Sequence, residues 1–69
     1  MGSHVAKIIE VVGSSEKSWA DAADQAVRHA AKTLKGISGV QVLHMTAQVK
    51  KGKIAVYKTT VKVAFGLEA

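Results

Sequence analysis

Between positions 19 and 34 the apolar residues Trp19, Ala22, Ala23, Ala26, Val27, Ala30, Ala31 and Leu34 recur at alternating steps of three and one. That spacing is one stripe of a 3.6-residue helix. Because the stripe is mostly Ala, the helix axis can lie unusually close to whatever it covers, which suits a curved sheet wrapped around it. Ser18 with Asp21 three residues on reads as a capping box, Asp21 and Asp24 as first-turn charges, Arg28, Lys32 and Lys35 as last-turn charges, and Gly36 as the left-handed C′ residue.

The flanking segments have a different period. Val5-Ala6-Lys7-Ile8-Ile9-Glu10-Val11-Val12 is rich in β-branched residues and closed by Gly13-Ser14-Ser15, so it predicts a strand ending in a turn. From Val40 to Val49 a loose alternation sets Val40, Val42, His44, Thr46 and Gln48 against Gln41, Leu43, Met45, Ala47 and Val49. Lys50-Lys51-Gly52-Lys53 then reads as a charged hairpin turn with Gly52 at positive φ. The last strand runs from Ile54 to about Leu67, with Tyr57, Thr59, Val61, Val63 and Phe65 on a core face and Lys58, Thr60, Lys62 and Ala64 on a mixed one. The fold class is α+β, a β-α-β-β protomer.

Sixty-nine residues make one small domain, placed at residues 5–68, with residues 1–4 set aside as a tag remnant or disordered start. A chain of this size buries only about 60% of the surface its unfolded form exposes. Hydrophobic residues make up 48%, but many are Ala and aromatics only 4%, so bulky core material is scarce. With no Cys, disulfides and thiolate zinc sites are excluded. Self-association is the remaining aid. Geometry agrees: fourteen extended residues span about 45 Å, whereas a helix of about 17 residues covers about 26 Å. Strands that overrun their cover leave apolar surface and open edges for other subunits.

Ten Lys and Arg against five Asp and Glu give a formal charge of +5 and a pI near 9.8, which invites anionic partners without choosing among them. No apolar run approaches the roughly 18 residues of a spanning helix, so the expectation is a cytoplasmic protein with no membrane partner. Catalytic chemistry is sparse. Glu10, Glu16, Asp21, Asp24 and Glu68 are scattered over separate elements, and His4, His29 and His44 are too far apart for a metal triad. Ser14 and Ser15 lack the flanking glycines of a nucleophile elbow and read as turn and capping residues. Gly13 stands alone, so there is neither a dinucleotide fingerprint nor a P-loop. The residues speak against an enzyme. A basic nucleic-acid-binding module draws support from the charge, but no aromatics interleave with it. Lys58 and Lys62, four residues apart and so on the same strand face, suit a small anionic ligand.

The strand ending Val11-Val12-Gly13-Ser14-Ser15, the Ser18-Trp19 helix start, Lys32-Thr33-Leu34, and the run Tyr57-Lys58-Thr59-Thr60-Val61-Lys62-Val63-Ala64-Phe65-Gly66-Leu67-Glu68 together resemble the dodecin family. The resemblance implies a three-stranded antiparallel sheet wrapped around one helix. It also implies a hollow homododecamer with helices outside and sheets inside. In such shells flavin pairs stack at two-fold axes on a Trp at the start of strand two and meet a Gln on strand three. Here Gly39 falls at the Trp position and Lys58 at the Gln position, and His44 falls near the same axis. Gly has no π-face, and Lys supplies donors only. The implied function is therefore non-enzymatic binding or storage of a small flat aromatic or anionic ligand, with flavin (FMN or riboflavin) held weakly. The alternatives are an ion-binding, calcium-type shell and the nucleic-acid module.

Overall fold

The computed structural model describes residues 5–67; the expectation for residues 1–4, together with His4 and Glu68, lies outside them. The elements are β1 (Val5–Ser15), α1 (Trp19–Ala31), β2 (Ile37–Lys50) and β3 (Lys53–Leu67). The three strands form one sheet in the order β1-β3-β2, with β3 antiparallel to both neighbours. The expected β-α-β-β architecture is thus the observed one, and β1 and β2 are open edges.

Helix α1 lies on one face of this sheet, over β1 and β3. Its Ala22, Ala26 and Ala30 are buried, and Ala26 packs with Val61 and Val63 in the core, flanked by Ile9, Val11, Ala23 and Ile37. The close approach read from the alanine stripe is made possible from the other side by Gly13. A Cβ on Gly13 would stand 1.9 Å from the carbonyl oxygen of Ala22. The sequence reading placed Gly13-Ser14-Ser15 in a turn; instead they continue β1, because Gly13 is where strand and helix backbones nearly touch.

Two other expectations change. Ser18 is the N-cap, its Oγ accepting from the Asp21 N–H at 2.9 Å. The Asp21 carboxylate, however, does not close a capping box: it accepts from the Ser15 hydroxyl at 2.6 Å, and Ser15 Oγ accepts in turn from the Lys17 N–H. The helix is also shorter, 13 residues, with Lys32 as C-cap. Beyond it, the Thr33 and Leu34 N–H groups both reach back to the Ala30 carbonyl, tightening the end. Gly36 does have positive φ, at 74°, but it serves the entry to β2, its carbonyl accepting from the Gly66 N–H at 3.0 Å.

A 13-residue helix covers about 20 Å, and the chain measures 57 × 20 × 13 Å. The overrun is larger than the sequence suggested. Val5, Ile8, Val12, Val40, Val42, Met45, Val49 and Ile54 are left exposed.

Candidate functional site

The strand register decides which side chains share the sheet face turned away from α1. On β3 the helix-facing residues are Thr59, Val61, Val63 and Phe65, all buried, so Lys58, Thr60, Lys62 and Ala64 lie on the opposite face. On β1 their partners are Ser14, Val12, Glu10 and Ile8 respectively.

On β2 simple alternation fails. Val42 pairs with Val61 and His44 with Thr60, leaving Leu43 as an extra residue, a β-bulge. Val42 and Met45 consequently share the helix side, where they line a groove of about 260 Å³ with Trp19, Ala20, Ala23 and Thr59. His44 is thereby separated from Val40 and Val42, with which strict alternation had grouped it. It joins Gln41, paired with Lys62, and Thr46, paired with Lys58. A second irregularity at Ser38 puts Gly39 opposite Ala64, on the same outward face.

All three candidate residues, Gly39, His44 and Lys58, therefore occupy one sheet face. Only two are neighbours. Lys58 and His44 sit in adjacent cross-strand rows, Ser14-Lys58-Thr46 and Val12-Thr60-His44. Gly39 lies six β3 positions away at the Ala64 row, roughly 20 Å along the strand, so within one chain a single small ligand does not span it and Lys58. Gly39 is exposed, and a Cβ there would meet nothing within 4 Å. Lys58 is half-buried and His44 exposed.

Sequence reasoning left Ser14 as a turn residue, and placed Thr46 on the face of His44 and Thr60 on the face of Lys58 without giving either a part in the site. Which of these residues meet across the strands needed the register. Sequence reasoning also read Trp19 only as part of the packing stripe. In the fold its indole Nε1–H donates to the Thr46 carbonyl at 2.7 Å, its ring meets Tyr57 edge-on at 4.8 Å, and its own carbonyl accepts from the Thr59 hydroxyl. The first contact ties the start of α1 to the stretch of β2 that carries His44 and Thr46, and the other two tie it to β3.

Among the described residues no group of three or more His, Cys, Asp or Glu is placed to hold a metal ion, and no helix is long and apolar enough to cross a membrane. Residues 5–68 match the family model described as Dodecin. The chain belongs to the dodecin family. Solved dodecins share its fold over nearly the whole length. Dodecin from Streptomyces coelicolor is 30% identical with a TM-score of 0.94, covering 100% of this chain and 99% of that one. Dodecin from Streptomyces davaonensis is 26% identical with a TM-score of 0.93, covering 99% and 100%. A calcium dodecin from Mycobacterium tuberculosis, a calcium-chelating immunodominant antigen with a novel calcium-binding site, is 32% identical with a TM-score of 0.80, covering 93% and 91%. None of the curated proteins matches this dodecin.

Proposed function

We propose that this dodecin is a cytoplasmic, non-enzymatic binding protein. It assembles into a hollow shell of twelve copies with the helices outside and the uncovered sheet faces inside. Residues 5–68 form one dodecin-like domain. The observation that carries the reading is the sheet itself, whose two open edges and eight exposed large hydrophobic residues outrun a short helix. Such surface in water favours association. Membership of the dodecin family supports the binding role.

The ligand is small and flat or anionic, held by Lys58 and His44, with Gly39 leaving the stacking position empty. Base-to-aromatic stacking is worth about 1–3 kcal/mol, so an isoalloxazine ring loses affinity by orders of magnitude where Gly39 and its symmetry copy replace two aromatic faces. Flavin-fluorescence titration tests this: riboflavin is expected to be quenched weakly by the native protein and strongly by the Gly39→Trp, Lys58→Gln double variant, with light scattering reporting the same assembly for both. A native protein that scatters as a monomer or dimer at micromolar concentration overturns the shell. Strong quenching by the native protein overturns the altered site.

The likeness to the calcium dodecin favours a second reading, a shell that binds calcium through carboxylates gathered from several copies. Glu10 is the one carboxylate on the outward sheet face among the described residues. Glu10→Gln abolishing calcium uptake by the assembled protein would select that reading over the first.

A further inference from the structure

The outward sheet face divides into two cationic rows of different character. Lys62 has Glu10 opposite it on β1 and Gln41 on β2, so its charge has a carboxylate within its own row. Lys58 has Ser14 opposite on one side and Thr46 on the other, and the next row adds Thr60 and His44. Directly opposed residues place their Cβ atoms about 4.5–5.5 Å apart, which brings these five side chains around one small patch drawn from all three strands.

Every one of the five can donate. Lys offers three N–H donors and no acceptor, Ser and Thr a rotatable hydroxyl, and His a ring N–H. Lys58 is nevertheless half-buried, and the ion pair found among the described residues joins Arg28 to Asp24 on the helix, not Lys58 to any acid. Glu10 lies two rows off, about 13 Å along the sheet. Neither the row of Lys58 nor the adjacent Thr60 row contains a carboxylate, and a group that matches this set of donors carries negative charge and several acceptor oxygens.

We infer that the Ser14, Thr46, Lys58, Thr60 and His44 patch is an oxyanion site that receives a phosphoryl group. A phosphate presents acceptor oxygens in several directions and so engages donors from three strands together, whereas a planar carboxylate offers two oxygens in one plane. The inference rests on the binding role proposed above and names the ligand class of that same face. It needs only one chain, because all five residues belong to one protomer.

Calorimetric titration with inorganic phosphate in a low-salt chloride buffer tests it on the intact protein. Saturable binding is expected. Lys58→Met should weaken it by about 10- to 100-fold, as befits hydrogen bonds to a charged group. Ser14→Ala and Thr46→Ala should each weaken it less, and Lys62→Met should leave it within about threefold. Light scattering on each variant reports whether the assembly persists. Absence of saturable phosphate binding, or equal losses in Lys58→Met and Lys62→Met, overturns the site, the latter by showing diffuse charge attraction. A protein that is not an oligomer yet binds phosphate through Lys58 overturns the shell and keeps the site. A parallel titration with FMN and riboflavin identifies the source of the phosphoryl group. FMN binding more tightly, with an advantage that Lys58→Met removes, indicates a phosphorylated organic ligand, and equal binding alongside phosphate uptake indicates free phosphate.

Discussion

The indole of Trp19 donates its N–H to the backbone carbonyl of Thr46 at 2.7 Å, fastening the first residue of the helix to an edge strand that the helix otherwise barely covers. Trp19→Phe keeps an aromatic edge against Tyr57 but drops this bond. The carbonyl is accessible enough to find water, so the expected loss is about 0.5–1.5 kcal/mol, measured by chemical unfolding at fixed protein concentration. Trp19→Ala, which removes the ring contact as well, should cost more.

The N-cap is a separate fastening. Ser18→Ala leaves the Asp21 N–H without its acceptor and should cost about 1 kcal/mol, whereas Ser18→Asn should retain most of the stability. The same unfolding measurement compares the two.

Gly13 and Gly39 make a contrasting pair. A Cβ at Gly13 collides with the Ala22 carbonyl, while at Gly39 it meets open space. Gly13→Ala should therefore destabilise by about 1–3 kcal/mol or more as the helix is pushed off the strand, and Gly39→Ala should stay within about 0.5 kcal/mol. Comparable losses in thermal unfolding of the two variants would contradict the packing described.

The hairpin between β2 and β3 closes through Lys51 and Gly52, whose φ values are 53° and 76°. Two successive positive φ angles make a type I′ turn, which favours Asn-Gly. Lys51→Asn relieves a side chain held in the left-handed region and should stabilise each chain by about 0.5–1 kcal/mol. A lower denaturant midpoint for this variant would refute it.

What the sequence disclosed was the part governed by local period and composition. The stripe from Trp19 onward, the β-branched runs and the Lys51-Gly52 turn locate the elements, and the poverty of bulky core residues foretells the exposed Val12, Val40 and Met45. What it hid depends on backbones meeting at a distance. Gly13 looks like a turn residue because nothing nearby in sequence shows that Ala22 will press against it. The Lys58 patch is hidden for a related reason. Counting outward from the hairpin places His44 opposite Thr59, on the core side, and Thr46 opposite Tyr57. The observed partners are Thr60 and Lys58, because Ala55 has no partner on β2 and shifts the count by one. Leu43 shifts it back. Hydrophobic alternation carries no mark of either insertion.

Those two irregularities behave like a pair of opposite frameshifts in a coding message. Between them, from His44 to Gln48, the hairpin is read one residue out of step; on either side the original phase returns, with Val42 and Val40 still facing the helix. A short passage of β2 can thus present a different set of side chains to the outward face without disturbing the helix-facing residues on either side of it. Deleting Leu43 would remove one frameshift and leave the other uncorrected. The mismatch would then spread in one direction, either turning His44 and Thr46 toward the helix or expelling Val42 and Val40 from it.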